Sequence, residues 1–288
     1  IITIYYQLIK KRIIMTTSLT FIGGGNMASS IIGGLIEQGY AADHITACDP
    51  NNDSLNTLAS RFGIHTSTDN LAACAQTDVI ILAVKPQILK TVTESLKPAL
   101  ANRTTLPLII SIAAGIASKD IQQWLAQDIA IVRCMPNTPA LVQQGASGLY
   151  ANAHTSDQQK CIAEQLLSAV GYATWVETET LIDAVTAVSG SGPAYFFLLM
   201  EAMIDAGVKQ GLSKESATQL TLQTALGAAT LAKASDVSVD ELRQRVTSPG
   251  GTTAEAIQRY ETEGLRDIVE QAMDDCAERS KAMAKEFI

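Results

Sequence analysis

The amino-acid sequence predicts an α/β fold in which a doubly wound parallel sheet is followed by an all-helical domain. Apolar bursts alternate with helical stretches from Leu19 to about Val176, an alternation typical of doubly wound folds. Runs such as residues 79–84 do not alternate with polar residues, as expected of strands that helices cover on both faces. From Leu181 onward the strand pattern disappears, which predicts a separate helical domain.

The individual elements follow in chain order. Strands are predicted at residues 19–22, 45–48, 64–66, 79–84, 108–112 and 129–133, with weaker ones near Leu149 and Trp175. In the second half, Gly, Ser and Pro separate the predicted helices, which cover residues 181–211, 214–234, 239–247, 252–263 and 265–287. We therefore place the sheet domain at residues 15–178 and the helical domain at residues 179–288.

A glycine-rich turn joins the first predicted strand to the first helix. Gly23, Gly25 and Ala28 form the pattern Gly-x-Gly-x-x-Ala. The first glycine permits a tight turn, the second lets backbone approach a pyrophosphate, and the small third residue lets helix and strand pack. Free N–H groups at the helix N-terminus favour the phosphates. The strand–turn–helix context predicts a Rossmann-type dinucleotide site, formed by Gly23, Gly24, Gly25, Asn26, Met27 and Ala28.

Three further loops follow the carboxyl ends of predicted strands and face the same crevice. Asp49 ends the second strand, where a carboxylate can accept a hydrogen bond from a ribose hydroxyl. Lys85 follows the fourth strand, where it is either a ligand contact or a solvated surface charge. Small residues after the fifth strand leave room for a flat ring. These loops add Asp49, Ala83, Val84, Lys85, Pro86, Ala113, Ala114 and Gly115 to the predicted dinucleotide site.

The helix predicted around residues 219–234 is apolar on more than one face, with leucines and alanines in several stripes. A helix that is apolar nearly all round must be buried on several sides. A small helical domain cannot easily do this alone, so we expect a second copy of the chain to cover it in a homodimer.

Three loops of the chain admit a structural or a functional interpretation. The loop at residues 133–139 holds two prolines, which fix either a site wall or a tight turn. The small residues at 189–195 mark either a binding loop or a helix break with close packing. Residues 247–254 combine two glycines with hydroxyl residues at a helix start, which favours a carboxylate receptor over an ordinary turn.

Composition limits the class of function. A formal net charge of −8 argues against nucleic-acid or anionic-membrane partners, which need clustered Lys and Arg. No apolar run is expected to span a membrane. Five scattered cysteines without a CxxC pair suggest a reducing cytoplasm.

Residues 1–14 precede Met15 and look foreign to the fold, so we expect a non-native or disordered extension. The sequence offers no metal-ligand cluster and no convincing catalytic triad.

From Met15 to its end the sequence resembles the pyrroline-5-carboxylate reductase family. The resemblance rests on the glycine loop, on the loops at residues 83–86, 112–115 and 133–139, on residues 183–195, and above all on residues 246–253. It implies hydride transfer from NAD(P)H to the imine carbon of pyrroline-5-carboxylate, which gives L-proline. It also implies a homodimer through the helical domains, often assembled further into decamers.

The resemblance assigns roles to individual residues. It adds Asn70 to the dinucleotide site. It places the substrate carboxylate on the loop of Ser248, Gly250, Gly251 and Thr252, puts the hydroxyl of Thr253 on the ring nitrogen as the catalytic contact, and places Glu179 near the substrate. Asp49 departs from the preference of many family members for NADPH, because its charge would repel a 2′-phosphate and suits NADH. Asn51 and Asn52 could still bind a phosphate if Asp49 turned away, so the coenzyme preference stays open.

Two alternatives belong to other classes of protein. A β-hydroxyacid or 6-phosphogluconate-type dehydrogenase would carry a lysine a few residues after a glycine-rich helix start, whereas residues 193–200 contain none. A redox sensor that binds NAD(P) without turnover is the alternative outside enzymes. An assay of coenzyme oxidation with pyrroline-5-carboxylate separates the three.

Overall fold

The computed structural model describes residues 16–101 and 103–286. The predicted extension at residues 1–14 lies outside these ranges. The described chain divides into two compact units, of which one holds the residues up to Ser191 and from Cys276 onward and the other holds Gly192–Asp275. These units are defined by contacts within the chain. The domain boundary that we predict between residues 178 and 179 stays a prediction.

The first unit is built on an eight-stranded sheet with the strand order β3-β2-β1-β4-β5-β6-β7-β8. Strands β1 to β6 pair with one another in parallel, and their order is that of a doubly wound fold. The strands are β1 Leu19–Ile22, β2 Ile45–Cys48, β3 His65–Ser67, β4 Val79–Leu82, β5 Leu108–Ser111, β6 Ile131–Met135, β7 Gly145–Ala151 and β8 Gly171–Trp175.

Helices cover the sheet, as the apolar strands require. Strands β1, β4 and β5 are buried at every position, which confirms the interpretation of these runs as strands covered on both faces. The helices of this unit are α1 Asn26–Glu37, α2 Asn52–Phe62, α3 Asn70–Cys74, α4 Pro86–Ser95, α5 Lys97–Leu100, α6 Ser118–Leu125, α7 Asp157–Ser168 and α8 Leu181–Val185, with 3-10 turns at Ala42–His44 and Thr138–Val142.

The sheet differs from the prediction at its far edge. Strand β7 runs antiparallel to β6, with Arg133 opposite Tyr150, and β8 then runs parallel to β7. The sixth strand was predicted two residues early at 129–133, because its apolar residues Ile129 and Ala130 lie in the approach to the strand. Residues Val132 to Met135 of β6 pair with β7, so the fold is a parallel sheet with one antiparallel step.

The second unit contains helices only among its described residues. They are α9 Gly192–Lys209, α10 Lys214–Ala234, α11 Val239–Arg245, α12 Thr252–Thr262 and α13 Leu265–Glu286, of which α13 belongs to this unit up to Asp275. The helix predicted over residues 181–211 is interrupted: α8 continues into a π-helical turn, Thr186–Gly190, before α9. The Ser and Gly residues of this segment fit such a break.

The apolar residues of this unit are largely exposed. On α9, Phe197 is 63% exposed, and on α10, Leu226 is 62% exposed. They belong to a set of exposed large apolar residues on these two helices: Tyr195, Phe196, Phe197, Leu198, Leu199, Met203, Val208, Leu220, Leu222, Leu226 and Leu231. A single copy of the chain therefore leaves α10 uncovered, as its multi-sided apolar pattern predicts.

Among the residues that the structure describes, one stretch, Leu181–Lys209, is long and apolar enough to cross a membrane by length and composition. We expected no such run. The stretch carries Asp183, Glu201 and Asp205, and it holds the exposed face of α9, so the same apolar character also fits a protein–protein interface.

Candidate active site

The glycine loop closes tightly onto the neighbouring strand end. Gly23 has a φ of +105°, and a Cβ at this position would lie 2.5 Å from the carbonyl oxygen of Ala83. Its N–H donates to the carbonyl of Cys48 at 2.7 Å. Position 23 therefore needs glycine for its backbone angle and for the contact between the ends of β1 and β4.

The start of α1 is open where a dinucleotide pyrophosphate is predicted. Gly25 is the N-cap residue of α1 and receives no side-chain cap, and a Cβ there would have no atom within 4 Å. Ala28 is buried, where a small residue lets the helix pack on the sheet. An uncapped helix start, free space beside Gly25 and exposed backbone fit a phosphate-bearing coenzyme.

Asp49 faces the glycine loop. Its Oδ2 accepts the N–H of Gly24 at 2.8 Å and its Oδ1 accepts the N–H of Asn51 at 2.8 Å. Asn51 in turn caps α2 through bonds from the N–H groups of Asp53 and Ser54. A carboxylate that accepts two backbone bonds is held in place, so turning it away from a 2′-phosphate would leave two donors without a partner.

The remaining predicted coenzyme residues also follow the carboxyl ends of parallel strands. Ala83 and Ile112 extend the sheet by donating their N–H groups to the carbonyls of Ile22 and Leu82. Lys85 is the exposed N-cap residue of α4, with Pro86 at the first turn. Gly115 has a φ of +76°. In chain order the set is Gly23–Ala28, Asp49, Asn70, Ala83–Pro86 and Ala113–Gly115. These residues all lie at the carboxyl-terminal ends of the parallel strands, as expected.

Asn70, taken from the resemblance alone, follows β3 at the same edge. It is the first residue of α3, which Asp69 caps by accepting the N–H groups of Leu71 and Ala72. The fixed helix start sets the position of the Asn70 backbone. Its role toward the coenzyme remains a prediction.

Glu179 contacts residues that the sequence interpretation did not assign to the site. Its carboxylate accepts the N–H of Ser118 at 2.6 Å and the hydroxyl of Ser118 at 2.8 Å, and it pairs with Arg133 at 3.2 Å. The signal for this pair is the arginine inside a predicted apolar strand, because a buried arginine needs a partner. The sequence does not reveal which carboxylate that partner is.

Two of the three loops with open interpretations, at residues 133–139 and 189–195, contact each other in the first unit. The side chain of Asn137 donates to the carbonyl of Ser189 at 3.0 Å and accepts the N–H of Ala146 at 2.8 Å. A Cβ at Gly190 would lie 2.6 Å from Cε of Met135. These contacts favour the packing interpretation for Gly190. They also show how the rigid 133–139 loop holds the π-helical turn.

The predicted substrate loop lies in the second unit. Gly250 has a φ of +69°, and Gly251 is the N-cap residue of α12, which has no side-chain cap there. The N–H of Gly251 donates to the carbonyl of Ser248 at 3.0 Å. Thr252 and Thr253 are exposed at the first positions of α12. The loop therefore presents uncapped N–H groups and hydroxyls, a suitable receptor for a small carboxylate.

The cysteines behave as structural residues. Cys48, Cys74 and Cys134 are buried and unpaired, and burial raises the pKa of each thiol to about 12. These thiols remain protonated at neutral pH, so they are poor nucleophiles. Within residues 16–101 and 103–286, no three His, Cys, Asp or Glu side chains are grouped to hold a metal ion.

Comparisons with family models and with curated proteins match both halves of the chain. Residues 179–283 match the family description "Pyrroline-5-carboxylate reductase dimerisation", and residues 18–115 match "NADP oxidoreductase coenzyme F420-dependent". The chain is 54% identical to a pyrroline-5-carboxylate reductase of Pseudomonas aeruginosa, over 94% of this chain and 98% of that protein. It is 44% identical to the reductase of Vibrio alginolyticus, over 93% of this chain and 98% of that one.

Solved structures give the same result. A pyrroline-5-carboxylate reductase from Coxiella burnetii has a TM-score of 0.90 at 45% identity, with 93% of this chain and 99% of that chain covered. The Plasmodium falciparum pyrroline carboxylate reductase, solved with NADP bound, has a TM-score of 0.80 at 31% identity, with 93% and 98% covered.

Proposed function

We infer that this chain, which belongs to the pyrroline-5-carboxylate reductase family, reduces 1-pyrroline-5-carboxylate to L-proline with NAD(P)H, as the final step of proline biosynthesis. The observation that carries this function is the near-complete coverage of family relatives at up to 54% identity. The glycine loop at the end of β1 agrees with it. A β-hydroxyacid or 6-phosphogluconate-type dehydrogenase would carry a lysine after the glycine-rich helix start, and this chain has none in the residues that follow Gly192.

We assign coenzyme binding to the edge of the sheet in the first unit. The open start of α1 would receive the pyrophosphate through its N–H groups, and the carboxylate of Asp49 would accept from a ribose hydroxyl. When bound, the reduced nicotinamide supplies the hydride that the imine carbon receives. The Ala113–Gly115 loop would let a flat ring lie against backbone. NADP is the coenzyme that relatives support, and NAD fits the same residues.

Substrate binding is proposed for the loop before α12. The backbone at Ser248, Gly250, Gly251 and Thr252 would bind the substrate carboxylate at the positive end of the helix. The hydroxyl of Thr253 would hydrogen-bond the ring nitrogen, whose charge changes during reduction. Reduction of an imine needs no protein nucleophile, so positioning and this hydrogen bond carry the contribution of the chain.

A second copy of the chain completes the helical unit. The matched dimerisation family covers α9 and α10, whose apolar faces are exposed in one copy. We propose a homodimer through these faces, and a decamer of five dimers as the larger assembly. The apolar stretch at Leu181–Lys209 is then covered by protein and not by lipid. We propose no nucleic-acid partner, since the chain is acidic. We place the protein in the cytoplasm, because a reducing compartment keeps thiols unpaired.

The decisive experiment follows NADPH and NADH oxidation in a spectrophotometer with pyrroline-5-carboxylate as substrate. We expect oxidation that depends on this imine and yields L-proline. Oxidation of the coenzyme by a β-oxo acid, or reduction of NAD(P)+ by the corresponding β-hydroxyacid, would instead favour the dehydrogenase alternative. Coenzyme binding in a fluorescence titration without turnover of either substrate would favour the sensor. Light scattering of the purified protein gives the mass of the assembly.

A further inference from the structure

Glu179 connects three parts of the first unit that lie far apart in the chain. Its contact with Ser118 spans 61 positions, and its contact with Arg133 spans 46. Ser118 begins α6, Arg133 lies in β6, and Glu179 follows β8. One carboxylate therefore ties the start of a helix, the interior of the sheet and the segment that leads into α8.

The helix that this carboxylate holds begins without a cap of its own. The N-cap residue of α6 is Ala117, and no side chain caps the helix locally. Alanine is among the poorest N-cap residues. A carboxylate at a helix N-terminus satisfies a free N–H and is favoured by the helix dipole. Glu179 therefore supplies from a distant part of the chain what Ala117 cannot.

Arg133 compensates the charge of this partly buried carboxylate. The side chain of Arg133 is 8% exposed and that of Glu179 is 22% exposed. Removing one partner of such a pair leaves a charge without compensation. Oε1 accepts the N–H of Ser118 and a bond from Arg133, and Oε2 accepts the hydroxyl of Ser118, so both oxygens of this carboxylate have a donor within the first unit.

The start of α6 is close in sequence to the predicted coenzyme loop. Ser118 lies three residues after Gly115, whose left-handed φ of +76° fixes the turn. We propose that Glu179 and Arg133 are positioning residues, which hold the start of α6 and through it the Ala113–Gly115 loop in the conformation that accepts the coenzyme. The inference rests on the coenzyme site proposed above. It replaces the substrate contact that the resemblance implies for Glu179.

The test measures coenzyme binding and substrate use separately. Fluorescence titration with NADPH, without substrate, gives the dissociation constant, and the assay at saturating NADPH gives KM for pyrroline-5-carboxylate. The variants are Glu179→Ala, Glu179→Gln and the double variant Glu179→Ala with Ala117→Ser. Ala117 has an extended backbone, with φ −80° and ψ 153°, so a serine there can cap α6 locally.

We expect Glu179→Ala to weaken NADPH binding by about 2- to 30-fold, the range that loss of a helix cap implies, and to leave KM for the imine nearly unchanged. Glu179→Gln keeps an acceptor oxygen and should have a smaller effect. Adding Ala117→Ser should recover most of the lost affinity. As a matched control, Glu164→Ala removes a carboxylate of the same unit that accepts from Trp175, and it should leave NADPH affinity unchanged.

Three results would overturn the proposal. A raised KM for the imine with unchanged NADPH affinity would return Glu179 to the substrate site. A lowered melting temperature with both constants unchanged, or no recovery with Ala117→Ser, would reduce the pair to a structural role. A wild-type chain that binds NADPH but does not reduce the imine would contradict the proposed function, while the binding test of Glu179 would still give its answer.

Discussion

The two units of the chain differ in how far they bury their apolar side chains. In the first unit, Ile80 and Leu82 of β4 are fully buried, whereas Phe197 and Leu226 of the second unit are more than half exposed. The sheet unit thus buries its core within one chain. The helical unit has apolar faces that remain exposed in a single copy. Folding physics alone predicts that the second unit finds a partner.

The same difference separates the two candidate sites. The proposed coenzyme residues follow strand ends that backbone bonds such as Gly23 to Cys48 and Ala83 to Ile22 fix within the first unit. The proposed substrate loop precedes α12, in the unit whose apolar faces are exposed. We therefore expect coenzyme binding to be a property of one chain, and turnover to depend on association.

The strongest test of this comparison places charges on the exposed helical faces. Phe197→Glu combined with Leu226→Glu should prevent association, because unpaired carboxylates would be buried in the interface. Turnover should then fall below detection, while NADPH affinity should stay near the wild-type value. Sedimentation velocity, a NADPH titration and the imine assay report the three quantities.

A matched control belongs to the first unit, where Tyr172 on β8 is 65% exposed. Tyr172→Glu should leave association and turnover unchanged. If the double variant remained a dimer, α9 and α10 would not form the interface.

Gly25 tests whether the first unit binds the coenzyme by itself. Gly25→Val should abolish dinucleotide binding, because the side chain would occupy the open space beside the start of α1 that the pyrophosphate needs. The fold and the dimer should persist, since a Cβ at this position meets no protein atom within 4 Å. Unchanged NADPH affinity in a fluorescence titration would remove this loop from the coenzyme site.

Thr253 tests the substrate loop. Thr253→Ala should lower the turnover number by about 10- to 1000-fold, the range for losing one hydrogen bond to the transition state, with little change in NADPH affinity. Thr253→Ser keeps the hydroxyl and should recover much of the rate. Thr262→Ala, at the last position of the same helix, is the control. If Thr253→Ala only lowers the melting temperature, then Thr253 serves the helix start alone.

The smallest expected effect concerns the choice of coenzyme. Asp49→Ser removes a negative charge near the ribose, and we expect the ratio of kcat/KM for NADPH to that for NADH to rise by about 3- to 30-fold at low ionic strength and less in salt. Asp49→Asn keeps an acceptor for Gly24 or Asn51 and separates charge from loop anchoring. Asp43→Asn, in the turn before β2, should leave the ratio unchanged. An unmoved ratio in the Asp49 variants would place this residue away from the ribose.

Local pattern predicted most of the fold, because each unit carries a clear periodicity. The positions of β1 and β2 and of α10 match the prediction residue for residue. The ends of β6 and the π-helical form of the break after α8 were not predicted, because an antiparallel partner and a π-helical turn depend on tertiary contacts such as that of Asn137 with Ser189.

The placement of the proposed coenzyme residues at the carboxyl ends of the strands was predictable for a similar reason. Glycines at special backbone angles, such as Gly23 and Gly115, are visible as sequence motifs beside strand ends. The partners of Glu179 were not, since Ser118 and Arg133 are 61 and 46 positions away and nothing local identifies a carboxylate that caps a distant helix.

The most direct test of the account measures association and turnover in the same wild-type samples. Sedimentation equilibrium at micromolar concentration, with the imine assay run on the same material, should give dimers or larger assemblies as the active species. An obligate interface of this kind typically buries more than about 2,000 Å². A stable monomer that reduces pyrroline-5-carboxylate at the full rate would contradict the account.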